Sequence, residues 1–417
     1  MQRVSYLDGL RGFAALQVVL LHYLTAFAPA IANVNPAIPH PGWEDRFIHS
    51  PCFFLADGYM AVSIFFLISG LVLTYSFESS ADVFGNLLAR RVVRLGVPMA
   101  ASVLLGALWF LLFPGAHAGA AAWLGGNDWL RNTGPAPVTA GLVAKEILLC
   151  GLLLGHAHFS LILPGSFGER AGLLELSQSP NAPLWTLHLE LYGSLLLLGL
   201  VMLERRLSAG WCTALRVALL LVLIAHPLGL FIIGHWAAKM LQAEAWRARL
   251  KGRVARVLAV LALGTGIAMS AHLVPAGVIH GFLAATRFEK LPMRVDEFHF
   301  YSHFGAILIF FAVLALPGAQ SLLGSRLGLL LGRYSFSLYL VHFPILLTVT
   351  MACLLRLHDA PPALAIGTAS ACGLAATVVA ALLFERLVDR PAISLSRFLW
   401  IFGRRTRALP VEVARAR

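Results

Sequence analysis

Apolar runs of about 20 residues, the length that crosses a bilayer as a helix, recur from one end of this 417-residue chain to the other. That recurrence constrains the fold more than any single motif. The chain is 59% hydrophobic and only 12% charged, against roughly 25% charged for an ordinary soluble domain. A globular body with one anchor does not produce this distribution. The expected class is all-α: a polytopic bundle of about ten transmembrane helices.

The net charge of +12 is not spread over a face, as a nucleic-acid surface would require. It is concentrated between apolar runs, in "ARRVVR" (89–94), "WRARLKGRVAR" (246–256) and the tail from Arg386 to Arg417. That is the mark of cytoplasmic loops under the positive-inside bias, and nucleic acid is not expected as a partner. The five cysteines stand alone, in or beside apolar segments, with no CxxC or metal-type spacing. They read as small buried hydrophobes.

Candidate spans fall at about 7–28, 53–75, 95–113, 183–203, 212–226, 228–242, 254–272, 300–316, 334–355 and 363–384. Lys145, Glu146, His156 and His158 interrupt segment 141–162, which is expected to dip or lie at the interface. Around "AHPLGLF" (225–231), Pro227 and Gly229 mark either a turn or a kink. With the basic clusters inside, the spans alternate correctly if both chain ends are cytoplasmic. "AFAPAIA" (26–32) resembles a leader cleavage site, but the charged region before it is thin and Asp8 and Arg11 interrupt the apolar core. The first segment is therefore read as a retained span.

That segment, "YLDGLRGFAALQVVLLHY" (6–23), carries Asp8, Arg11 and His22. At about 100° per residue, Arg11 and His22 are three turns plus roughly 20° apart, and Asp8 is about 60° from Arg11. All three share a narrow stripe. Asp8 and Arg11 can snorkel to the cytoplasmic edge, whereas His22 lies roughly 16 Å above Arg11. An ionisable group at that depth usually faces a cavity; the alternative is a neutral imidazole bonded to a neighbouring helix.

Three further groupings stand out. Glu190 lies about 10 Å into the span that begins at Pro183, one turn after Thr186 and on its face. The depth resembles that of His22, whose imidazole would be a suitable partner; a glutamate there can also reach up towards the headgroups. Arg90 and Arg94 are one turn apart at the edge of the third span, with Arg91 between them, so that their planar forks can converge on one anion; such a run also serves as an ordinary topology signal. Ser335, Tyr339 and His342 share a stripe in "RYSFSLYLVHFPI" (333–345), which suits either function or a hydrogen bond between helices.

In this order, these pieces resemble the bacterial acyltransferase-3 family of integral membrane acyltransferases. The matching stretches are "YLDGLRGFAALQVVLLH", "FFLISGLVLT" (65–74), "RRVVRLGVP" (90–98), "LWTLHLELYG" (184–193), "YSFSLYLVHFP" (334–344) and "DRP" (389–391). Thr186 stands where relatives commonly carry Ser, and Asp389 where they carry Glu; no appended hydrolase-like domain is expected. The resemblance implies a membrane acyltransferase domain over 1–395 and a basic cytoplasmic tail over 396–417, in a bacterial inner membrane. It implies transfer of an acyl group, most often acetyl, from cytoplasmic acyl-CoA to a hydroxyl of an envelope glycan or glycolipid. Arg11 and His22 would be the essential pair of the first span, and Arg90, Arg91 and Arg94 would hold the CoA phosphates. The motifs containing Glu190, Tyr339 and His342 would complete the pore, with Tyr339 and His342 among the residues that bind the donor. No cofactor is expected to be bound permanently, no metal is required, and self-association is left open.

On this reading His22 is a general base on the acceptor hydroxyl or a covalent acyl carrier. Asp8 or Glu190 would set its tautomer, and Arg11 would stabilise developing negative charge. The competing classes are a transporter that uses the buried charges for proton coupling and a His-ligated metal protein. His299 with His303, and more weakly His156 with His158, are its ligand pairs. Trp43, Trp123 and Trp129 suit sugar stacking or an interfacial belt; neither the acceptor nor the acyl length is legible.

Overall fold

In the bilayer core a backbone must satisfy its own hydrogen bonds, and the described residues of this computed structural model are accordingly helices and connecting loops with no strand. The structure describes residues 5–28, 42–80, 82, 84–135, 137–163, 166–224, 226–274 and 297–405. Among them, seven helices are long and apolar enough to cross a membrane, or eight if one bent pair is a single span.

The elements that frame the interior are α1 (Ser5–Phe27), α2 (Gly58–Glu78), α3 (Phe84–Leu112), α4 (Ala140–Lys145, continued by a π-helical Glu146–Leu154), α5 (Trp185–Glu204), α6 (Ala209–Leu223), α7 (Pro227–Gln242) and α8 (Arg253–Ser270). After them come α9 (Glu297–Ala315), α10 (Pro317–Leu323), α11 (Arg326–Ile345), α12 (Pro362–Phe384) and α13 (Arg390–Arg405). The bent pair is α9 and α10, which meet at 97°.

Pro227 marks a turn. It occupies the first turn of α7, where its missing N–H is not needed, and Nδ1 of His226 caps the helix by accepting from Leu228 N at 3.1 Å. The two short helices α6 and α7 therefore fold back on one another. Segment 141–162 is α4, which stops at Gly155 (φ 81°) and is not among the helices long and apolar enough to span. The first segment is α1, packed against α11 and α2. The expected domain boundary at 395 falls inside α13, which packs on α3.

Helices in lipid associate by close packing rather than by hydrophobic burial, which favours small residues at crossings. The α1–α11 crossing has Gly12 over the Leu331–Gly332 backbone and Gly332 over the backbone of Asp8; a Cβ at either position would collide with main chain. Gly70 of α2 and Gly234 of α7 form a second such crossing.

Asp57 caps α2 by accepting from Met60 N (2.9 Å) and also accepts from Ser270 (2.7 Å) and Ser302 (2.9 Å). One buried carboxylate thus ties α8 and α9 to the start of α2. Pro344, inside α11, cannot donate to the carbonyl of Leu340. That carbonyl instead accepts from Ser102 of α3 and Nδ2 of Asn181, both at 2.7 Å. The helix then continues through a π-helical turn, Leu346–Thr350, a device that often accompanies functional sites.

Candidate active site

Two cavities lie between α1, α2, α5 and α11, the first of them also walled by α3. The first, about 170 Å³, is the arginine chamber: Arg11, Arg91 and Arg94 line it with Glu190, Thr186 and a wall of Phe65, Phe66 and Phe336. The second, about 70 Å³, is the histidine chamber, lined by His22 with Val18, Leu21, Tyr59, Pro183 and Trp185. Val62 and Tyr339 belong to both linings, so the chambers meet across these two side chains.

The arginine triplet does not act as one cluster. Arg91 pairs with Glu190, and its Nε donates to Ser194 Oγ at 2.7 Å. Arg94 pairs with Asp389 and lies over the Phe336 ring, 5.2 Å from its centroid. Arg90 turns away to Asp82 (3.2 Å) and lines neither chamber. The expected convergence of Arg90 and Arg94 on one anion is thus replaced by divergence, because each fork has its own carboxylate. Arg11 is the exception: among the described residues it makes no hydrogen bond or ion pair, although Glu190 and Asp8 act on it electrostatically.

The sequence-based placing of Glu190 beside His22 is also corrected. Trp185 is the α5 residue level with His22, and Glu190 lies five residues deeper, about 7.5 Å, where Arg91 claims it. Asp8 precedes His22 by fourteen residues of continuous helix, about 21 Å, too far to set its tautomer. The imidazole of His342 takes the place expected for a carboxylate. Its Nε2 lies 3.0 Å from Nδ1 of His22. Phe343 then packs edge-on against the His22 ring, with centroids 4.8 Å apart.

Tyr339 is fixed from α5. Its hydroxyl donates to Pro183 O at 2.6 Å and lies 2.8 Å from the Thr186 hydroxyl, which also reaches Pro183 O at 3.2 Å. Ser or Thr at position 186 supplies the same hydroxyl. Val62 and Ser194 fall outside every stretch that carries the resemblance, and helix-to-helix placement alone brings them to the site, whereas Phe65 opens one of those stretches.

The other expected ligands are dispersed. The His299 side chain lies outside the described residues; His156 is bound to the buried Glu146 (3.0 Å), and His158 to Glu169 (2.6 Å). Trp129 packs edge-on against Phe343, and Trp123 donates to the carbonyl of His358 at 3.3 Å, so both are held by protein partners.

Residues 4–386 match a family model described as an acyltransferase domain. Among curated proteins, the O-acetyltransferase PaAT-1 of Phomopsis amygdali is 27% identical over 393 residues, which cover 83% of this chain and 72% of that protein. No solved structure matches the chain.

Proposed function

The chain belongs to the acyltransferase-3 family, and from that premise we propose that it moves an acyl group, acetyl first of all, from acyl-CoA to a hydroxyl of a sugar in a cell-envelope polysaccharide or glycoconjugate. The similarity to an O-acetyltransferase supports the acetyl and hydroxyl parts of this reading. The observation that carries it is the shared wall: an arginine-lined cavity and a histidine-lined cavity meet at Val62 and Tyr339. A nucleotide thioester has the matching form, anionic at one end and reactive at the other.

In this reading the seven long helices, the bent pair and the short helices α6 and α7 make ten passes (7 + 1 + 2) through a cytoplasmic (inner) membrane. Both ends face the cytoplasm, as the basic clusters favour. Acyl-CoA enters from that side. Arg11, whose guanidinium is uncommitted among the described residues, takes donor phosphate, with Arg91 and Arg94 in the same chamber. The helical rise puts Arg11 about 16 Å from His22, so the role of Arg11 lies with the donor's anionic end rather than with an oxyanion beside the imidazole. The pantetheine arm passes Val62 and Tyr339 and presents its thioester to the histidine chamber.

His22 accepts the proton of the acceptor hydroxyl while that oxygen bonds to the acyl carbon. The carbon–sulfur bond then breaks, and the CoA thiolate leaves with the proton from the imidazolium. Reconstituted protein supplied with acetyl-labelled CoA and envelope glycans should yield O-acetylated sugar. Solute flux in proteoliposomes without acyl-CoA, and no acylated product with it, would overturn the proposal in favour of a transporter.

A further inference from the structure

His22 and His342 face one another through ring nitrogens, and two neutral imidazoles in that position share a single proton. The far side of His342 decides which ring supplies it. Nδ1 of His342 lies 2.8 Å from the carbonyl of Tyr339 and 3.1 Å from that of Leu338. Carbonyl oxygens only accept, so Nδ1 of His342 carries the hydrogen and Nε2 is the lone-pair nitrogen. Nε2 of His342 is the atom 3.0 Å from Nδ1 of His22. Nδ1 of His22 must therefore donate, and the lone pair of His22 is left on Nε2.

The backbone carbonyl of Val18, one turn back along α1, is a second acceptor at the His22 ring, and no carboxylate competes for the proton of the pair. The ring of Phe343 stands edge-on to both imidazoles, 4.8 Å from His22 and 6.2 Å from His342. Tyr339 approaches His342 to 6.0 Å between centroids, with its hydroxyl already committed to Pro183. Glu190 is held by Arg91. His342 is fully buried, whereas His22 is half-buried and lines the chamber.

We propose that His342 is a positioning residue that fixes His22 in the Nδ1–H tautomer, so that Nε2 of His22 is the basic nitrogen presented to the acceptor hydroxyl. The inference rests on the reading of His22 as the base and adds what orients it. It also has a consequence for the proton. Because Nδ1 of His342 meets only carbonyl oxygens, His342 cannot relay a proton onward. The proton taken by Nε2 of His22 must leave by the same atom, to the departing thiolate. The orienting partner is neutral, unlike the carboxylate of a serine-hydrolase triad, which also stabilises the imidazolium.

The test uses the full-length protein in nanodiscs with two substitutions at His342. Leucine removes the acceptor at similar size. Glutamine can bring a side-chain carbonyl oxygen to the position of Nε2. His342→Leu should lower kcat about 100-fold or more, the range lost with general-base function, at unchanged KM for acyl-CoA, and His342→Gln should recover at least about a tenth of wild-type kcat. A folded His342→Leu variant with wild-type kcat, or a His342→Gln variant no better than it, overturns the proposal.

Nitrogen NMR of 15N-histidine-labelled protein, with the His22 signals identified by their loss in His22→Gln, should show the proton of His22 on Nδ1. Protonation on Nε2 overturns the proposal. This readout needs no substrate, so it separates the tautomer from the function: protein without acyl transfer would defeat the enzymatic reading and leave the tautomer to stand or fall by its own spectrum.

Discussion

Arg91 closes on Glu190 in an ion pair that Ser194 supports from one helical turn further along α5. The carboxylate is thereby committed to the arginine chamber, five residues below the level of His22. Both partners are largely buried, so the pair serves as a structural lock between α3 and α5, and loss of one member would strand the other charge. His22 is left to work with a neutral neighbour. On the proposed mechanism the two chambers carry separate chemistry, anion binding in one and proton transfer in the other.

His22→Ala should abolish acyl transfer without lowering the amount of protein in the membrane. The ring contributes one side chain to a cavity wall and one bond to His342, a modest loss for a bundle of this size. Product formation by mass spectrometry, normalised to protein abundance, checks this. Normal transfer by an abundant His22→Ala variant would remove His22 from the mechanism.

Val62→Phe should obstruct the passage between the chambers while leaving the arginine end open, because Val62 borders both cavities and carries no polar group of its own. Turnover should fall about tenfold or more, a barrier of roughly 1.4 kcal/mol, and binding of desacetylated CoA should persist. Equal turnover in wild type and variant would place the donor's route elsewhere.

The arginines should separate by chamber rather than by sequence. Arg11→Ala should raise the KM for acyl-CoA about tenfold or more, as expected for the loss of a charge-assisted phosphate contact. Arg90→Ala should change it little, because Arg90 is spent on Asp82 outside both cavities. A larger effect at Arg90 than at Arg11 would show that donor phosphate sits at the outer edge of the cluster.

Gly332→Leu should destabilise the whole bundle. The new side chain would meet the backbone of Asp8, which cannot rotate away, and such overpacking typically costs about 1–3 kcal/mol or more. The midpoint of thermal aggregation in detergent should drop, with Gly367→Ala, at a position with open space around it, as the unaffected control. Equal midpoints would mean that α1 and α11 are free to separate.

Same-helix geometry was legible before any fold was known. The shared stripe of Arg11 and His22, the face of Ser335, Tyr339 and His342, and the position of Thr186 one turn before Glu190 all follow from covalent spacing and a fixed rotation per residue. Pairing between helices was not legible. The partner of Glu190 is Arg91, the partner of His22 is His342, and the partner of Arg94 is Asp389, because each choice depends on the depth and rotation at which one helix meets another. Backbone-to-backbone crossings such as Gly12 over Gly332 set those quantities. The sequence by itself therefore determined which side chains each helix turns inward, and the tertiary structure alone decided which of them touch, since contact across the bundle arises from packing between residues 99 to 320 positions apart.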